Sequence, residues 1–96
     1  MTELEQIEGI LKEYRDILKE KYYVKRIGIF GSLSKGKQTS ESDVDILVEF
    51  DGPIGWDIVE LNDYLEELIG KKIDLVSIKA LKPQLRENIL NEVIYV

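Results

Sequence analysis

Residues 28–49 read Gly-Ile-Phe-Gly-Ser-Leu-Ser-Lys-Gly-Lys-Gln-Thr-Ser-Glu-Ser-Asp-Val-Asp-Ile-Leu-Val-Glu. One apolar run ends at Gly31-Ser32, and the next begins with the Asp-x-Asp pair of Asp43 and Asp45. The turn at Gly31-Ser32 offers a phosphate group a hydroxyl, backbone amides and space free of a side chain. Paired aspartates offer magnesium the hard oxygen ligands that it prefers. A phosphate-binding turn followed by paired carboxylates predicts metal-assisted nucleotide chemistry.

The spacing of the two aspartates fits a strand over residues 43–49. Alternate residues of a strand share a face, so Asp43, Asp45 and Leu47 are expected on one side and Val44, Ile46 and Val48 on the other. The carboxylates would then lie about 7 Å apart along the backbone and could converge on one or two divalent ions. An isolated Asp-x-Asp pair is more often a solvated strand start, so the metal-site hypothesis depends on the neighbouring motifs.

The turn before the aspartates follows a predicted strand over Val24 to Phe30. Ser32 is predicted to cap a short helix over Leu33 to Lys35, which Gly36 ends. One helical turn then places the Lys35 ammonium near the same anion as Ser32. The alternative is an ordinary Gly-Ser turn.

A third carboxylate lies within another apolar segment, Ile73-Asp74-Leu75-Val76. Strand interiors disfavour aspartate, so Asp74 is unexpected there unless it serves the same site. A solvated edge position is the alternative explanation.

Together these motifs resemble the polymerase-beta-type nucleotidyltransferase superfamily. The resemblance rests on Gly31-Ser32, Asp43-x-Asp45 and Asp74, in this order and on these local structures. The short length and the ending from Leu81-Lys82-Pro83 to Ile94-Tyr95 are similar to its minimal nucleotidyltransferase branch. The resemblance extends from about Ile27 to Val96.

The resemblance implies roles for six residues. Gly31, Ser32 and Lys35 would bind the triphosphate, while Asp43, Asp45 and Asp74 would hold the metal ions as a catalytic carboxylate triad. Members of the branch often carry Gly-Ser-Arg-Ala-Arg-Gly where this chain has Gly31-Ser32-Leu33-Ser34-Lys35-Gly36. One positive charge is therefore missing, and a lysine replaces an arginine that could bind phosphate in a bidentate manner.

The resemblance also implies an activity and partners. The expected reaction is transfer of a nucleoside monophosphate, AMP from ATP, with two Mg²⁺ ions, to a partner protein. That partner would be a small helical HEPN-type toxin, and this chain would be its antitoxin. The alternative is a catalytically weak or inactive nucleotide-binding module that neutralises its partner by direct contact.

Composition limits the possibilities independently. The 96 residues are expected to form one domain, 1–96, too small to hold an acceptor by itself, so a partner chain or a second copy would complete the acceptor site. Because the chain has no histidine and no cysteine, a metal site must use oxygen ligands. The net charge of −6 argues against binding nucleic acid. Without a membrane-length apolar run or a signal-peptide pattern, the chain is expected to be cytoplasmic and away from membranes.

Hydrophobic periodicity predicts the remaining elements. A capping box at Thr2 starts a first helix that reaches about Glu20, and a second helix from about Ile58 ends at Gly70. The short crossover predicts parallel strands on either side of the second helix. Pro83 starts a last helix, whose predicted inner face is Leu85, Ile89 and Val93. The expected fold is α+β: a nucleotidyltransferase-like mixed sheet of three or four strands, with helices packed on one side and the aspartate face open.

Overall fold

The computed structural model describes residues 2–34, 43–52 and 57–96, apart from the side chain of residue 57. It confirms the α+β class. Within these residues, no helix is both long and apolar enough to cross a membrane. The elements in chain order are α1 (Glu3–Glu13), α2 (Arg15–Tyr22), β1 (Val24–Phe30), β2 (Val44–Phe50), α3 (Asp57–Ile69), β3 (Ile73–Ser77), a 3₁₀ turn (Ile78–Ala80), α4 (Pro83–Glu92) and β4 (Ile94–Tyr95).

The first helix begins as predicted but is divided in two. The Glu5 N–H donates to Thr2 Oγ1 at 3.1 Å, and the Thr2 N–H donates to Glu5 Oε1 at 3.2 Å, which completes the capping box. The expected continuous helix is interrupted at Tyr14, whose ψ of 14° lies outside the helical range. Buried leucines continue on both sides of the break, at Leu11 and Leu18, so the hydrophobic period does not reveal it.

The four strands form one mixed sheet in the order β3-β2-β1-β4. β1 pairs antiparallel with both β2 and β4. β2 and β3 are parallel and joined through α3, as the short crossover predicts. α3 ends before Gly70, which has a φ of +77° and donates its N–H to the Glu66 carbonyl at 2.8 Å.

The principal core lies between one face of the sheet and helices α1, α2 and α3. Alternate strand residues point into it, and its fully buried members include Leu11, Leu18, Ile29, Val44, Ile46, Val48, Leu61 and Leu65.

The last helix covers the opposite face, which corrects the expectation that all helices pack on one side. Phe30, Leu47 and Ile78 form a second buried cluster there, and Ile89, Leu90 and Val93 pack against it. Leu85 was expected on the inner face but is 48% exposed, because the packing contacts of α4 are confined to its C-terminal half. Of the predicted inner residues, Ile89 and Val93 are confirmed.

Candidate active site

Asp45 and Asp74 lie directly opposite each other on neighbouring strands. The parallel register of β2 and β3 pairs their Cα positions, and Asp43 immediately precedes β2. Asp45 is half-buried, whereas Asp43 and Asp74 are exposed. Asp45 shares its face with Leu47, since both lie opposite the core-facing side chains of the same strand. The predicted juxtaposition of Asp45 with Asp74 therefore follows from strand register.

The electrostatics of Asp45 reflect this crowding of acids. Burial, together with the charge of the neighbouring Asp74 and a hydrogen bond shared with it, raises the pKa of Asp45 to about 6. Weaker contributions come from Asp43 and Glu92. When Asp45 carries a proton, its carboxyl group can donate a hydrogen bond to Asp74.

Gly31 lies against the Asp45 side chain at the end of β1. The antiparallel register pairs Phe30 with Asp45, so the turn that follows Phe30 begins beside this carboxylate. A Cβ built at Gly31 would overlap the Asp45 carboxylate, reaching 3.0 Å from Cγ and 3.2 Å from Cβ. Gly31 also has a φ of +75°, in the left-handed region that favours glycine. Both the space and the backbone conformation therefore require glycine here.

Residues 31–34 form a turn rather than the start of a helix capped by Ser32. Ser34 closes this turn, because its Oγ donates to the Gly31 carbonyl at 2.7 Å. Ser32 is partly exposed beside Gly31, where a phosphate oxygen could reach its hydroxyl. Lys35 and Gly36, the other members of the predicted phosphate motif, lie outside the described residues.

Leu33 has a different role from the basic residue often found at this point in the branch that the sequence resembles. Its side chain is 5% exposed and belongs to the principal core, on the side of the sheet that the helices α1 to α3 cover. It therefore anchors the turn at residues 31–34 to the core and offers no charge to an anion.

Glu92 is a site residue that sequence reasoning missed. It is the last residue of α4, and its charge acts on Asp45 because α4 packs over the aspartate face. The sequence carries little signal for this, since Glu92 belongs to no motif and its position depends on which face α4 covers.

The donor chemistry of the site suits a hard divalent cation. Carboxylates of Asp43, Asp45 and Asp74 are oxygen ligands of the kind that magnesium prefers. Burial and then the charge of Asp74 raise the Asp45 pKa, and a cation would relieve the repulsion between the two carboxylates. Within residues 2–34, 43–52 and 57–96, no three acidic side chains are grouped closely enough to hold a metal ion. The three-carboxylate metal site stays a prediction.

Comparisons with known proteins identify the family and the fold of this chain. The family model described as nucleotidyltransferase domain matches residues 11–96. The chain is 43% identical to the protein adenylyltransferase MntA of Thermococcus cleftensis, with 100% of this chain and 98% of that protein covered. A solved structure described provisionally as a minimal nucleotidyltransferase matches with a TM-score of 0.83 and 33% identity, over 97% of this chain and 95% of that one. A toxin-antitoxin crystal structure with AMP-PNP matches with a TM-score of 0.73 and 26% identity, over 93% of this chain and 70% of that one.

Proposed function

This chain belongs to the nucleotidyltransferase domain family, and from that membership we propose that it transfers AMP from ATP to a partner protein. The observation that carries the proposal is the pairing of Asp45 with Asp74 across β2 and β3, beside the turn at Gly31. Carboxylates next to a phosphate-binding turn are what nucleotidyl transfer requires, because charge develops on both the attacking and the leaving oxygen.

We assign each residue a part in this reaction. Ser32 and the backbone amides of its turn orient the β- and γ-phosphates, and Lys35 neutralises part of their charge. Asp43 and Asp45 would hold Mg²⁺, and Asp74 either completes this ligand set or accepts the proton of the acceptor hydroxyl. Two magnesium ions, when bound, would stabilise the charge on the entering and leaving oxygens. The acceptor attacks the α-phosphorus in line, and pyrophosphate leaves.

We further propose that the acceptor is a small helical HEPN-type toxin and that this chain is its antitoxin. The similarity to MntA of T. cleftensis and to a toxin-antitoxin structure with AMP-PNP supports this assignment.

One observation favours a second candidate, a nucleotide-binding module that neutralises its partner by contact alone. Leu33 is in the core at a position where the related motif often supplies a cation, so the triphosphate would lose one favourable charge. We prefer the enzyme because Asp45 is half-buried and lies directly opposite a second carboxylate, Asp74, an arrangement that costs free energy and that a contact surface would not need.

The proposal is tested by co-expressing the chain with the protein encoded beside it and measuring the intact mass of that protein. An adduct of one or more AMP groups is expected with the native chain and is expected to be absent with Asp45→Asn. Asp63→Asn is the control, because Asp63 is an exposed acid on α3, on the other side of the sheet. No adduct with the native chain, while its ATP binding and partner binding persist, would favour the contact module.

A further inference from the structure

A basic groove lies beside the N-terminal end of β1, next to helices α1 and α2. Its cavity of about 580 Å³ is lined by four basic side chains, Arg15, Lys19, Lys25 and Arg26, and by a single acid, Asp51. The chain as a whole has 13 basic and 19 acidic residues, so this groove reverses the overall charge balance. We call this region the basic groove.

The basic groove is separate from the aspartate site. It begins near Val24, whereas Gly31 and the carboxylates lie at the opposite end of β1. Six residues of strand rise correspond to about 20 Å between the two ends. A ligand in the basic groove would therefore leave the reaction centre open.

Two of the basic side chains in the groove are uncompensated. Arg26 is engaged, since its Nε donates to Glu49 Oε1 at 2.8 Å and its guanidinium lies 4.8 Å from the centroid of the Tyr95 ring. Arg15 and Lys19 are exposed, and in the described part of the chain neither forms an ion pair. The groove can thus offer their charges to a ligand.

The backbone at this end of β1 is also open. β4 pairs only with Gly28 and Ile29, and the Val96 N–H reaches the Ile27 carbonyl at 2.9 Å. Among the described strands, none pairs with Val24 to Arg26 on that side. The register with β2 shifts between Val24 and Arg26, a bulge that removes the exposed Lys25 from the regular ladder.

Tyr23 adds an aromatic surface to the same groove. Its φ of 57° and ψ of 33° place it in the left-handed region, which side chains other than glycine rarely adopt. Tyr23 is the C-cap residue of α2, where a left-handed residue commonly ends a helix, and its N–H donates to the Leu18 carbonyl. The residue is 53% exposed, so its side chain is accessible to a ligand in the groove.

We propose that the basic groove binds an extended acidic segment of a partner protein. The segment would add its backbone alongside Val24 to Arg26, place carboxylates near Arg15 and Lys19, and contact Tyr23 with an apolar side chain. A peptide backbone is the ligand that an open strand edge recognises, whereas a nucleotide lacks the regularly spaced, alternating donors and acceptors of an extended strand. A long nucleic acid is disfavoured, because beyond the groove it would meet a chain with a net charge of −6. The inference does not depend on AMP transfer.

The test uses a short peptide of alternating glutamate and valine, titrated into the isotope-labelled native chain. Backbone amide shifts are expected at Tyr23 to Arg26 and not at Asp45 or Asp74. The double variant Arg15→Glu/Lys19→Glu should weaken peptide binding at least about tenfold. The double variant Lys82→Glu/Arg86→Glu is the matched control, since it makes the same charge change at exposed positions on the other side of the sheet and should leave affinity unchanged.

Further measurements distinguish recognition of an acidic peptide from binding of phosphate or nucleic acid. The lysine-valine counterpart of the peptide should not bind, and inorganic triphosphate or a single-stranded oligonucleotide should not displace the acidic peptide. Tyr23→Gly should keep the fold, since glycine suits the backbone there, yet bind the peptide more weakly. The proposal is overturned if both charge-reversal pairs weaken binding equally, if the acidic peptide does not bind, or if triphosphate or oligonucleotide binds these residues more tightly.

Discussion

The carboxylate of Asp45 fills the space beside Gly31 that any other side chain at position 31 would need. The two residues are 14 positions apart but come together because β1 and β2 pair antiparallel, with Phe30 opposite Asp45. This contact joins the turn at residues 31–34 to the pair of Asp45 and Asp74. The glycine therefore serves two purposes, the turn itself and the placement of an acid.

Replacement of Gly31 by alanine should disturb both stability and transfer. Gly70→Ala is a close control, because Gly70 has nearly the same φ, +77° against +75°, but open space around it. Each substitution should lower the free energy of unfolding by about 1 kcal/mol, because alanine disfavours the left-handed backbone conformation. Gly31→Ala should lower it by about 1–3 kcal/mol more, because the new methyl group overlaps the Asp45 side chain. Urea unfolding measures the difference, and adduct formation should fall only in Gly31→Ala. Equal behaviour of the two variants would contradict the proposed contact.

Asp45→Asn should stabilise the protein at neutral pH in the presence of a chelator. The pKa of Asp45 is raised from 3.8 to about 6 in the folded chain, so above pH 6 its ionised form weakens the fold. Between pH 6 and pH 4 the folded state binds more protons than the unfolded state, and this penalty disappears as the pH falls. Because the Asp45 carboxyl is partly solvated, we expect Asp45→Asn to increase the free energy of unfolding by about 1 kcal/mol at pH 7.5, and by less as the pH falls toward 4. Thermal unfolding across this range measures it, and a gain independent of pH would contradict the assignment.

Ser32→Asp should remove triphosphate binding while the fold survives. The substitution places a negative charge where the turn is proposed to receive phosphate, and Ser32 is only partly buried, so the core is not affected. Titration calorimetry with ATP and magnesium should show at least about a tenfold loss, the scale of one lost charge-assisted contact. Ser32→Ala should lose less. An unchanged affinity with an intact circular dichroism spectrum would mean that the turn is only structural.

Leu33→Arg should not improve nucleotide binding, even though it restores the charge of the related motif. The Leu33 side chain is 5% exposed in the principal core, so an arginine there must bury a charge or displace the turn. A loss of about 2–4 kcal/mol in unfolding free energy is expected, as for other disruptive core changes. Denaturant unfolding and ATP titration measure the two effects. A stable variant with tighter ATP binding would show that position 33 can face the phosphates.

Asp74→Asn distinguishes the hypothesis that the chain is an enzyme from the hypothesis that it is a contact module. The amide keeps the shape of the exposed side chain opposite Asp45, so partner contact should persist. As an enzyme, the chain should lose AMP transfer by about a hundredfold or more, the contribution of a general base or a metal ligand. Adduct formation and partner activity are measured side by side with the native chain. Full neutralisation by the variant with no adduct would support the contact module.

The sequence by itself determined most of the helices and the carboxylate-bearing strands. Turn residues and hydrophobic periods located β1, the helix α3 with its end at Gly70, and the parallel connection of β2 to β3. The alternation of a strand also placed Asp45 opposite the core-facing residues, because the side-chain period of a strand does not depend on what it packs against. These features are local, so local residue patterns suffice to predict them.

Only the tertiary structure decided what lies on the second face of the sheet. The pairing of β4 with β1 brings α4 over the face of the sheet that carries Asp45, where Gly28 leaves room for Val93. This placement leaves Leu85 exposed and brings Glu92 near Asp45. The burial of Leu33, the break at Tyr14 and the basic groove beside β1 likewise depend on residues distant in sequence. A periodic hydrophobic pattern indicates that a helix has an apolar side. Long-range strand pairing decides which face of the sheet that side packs against.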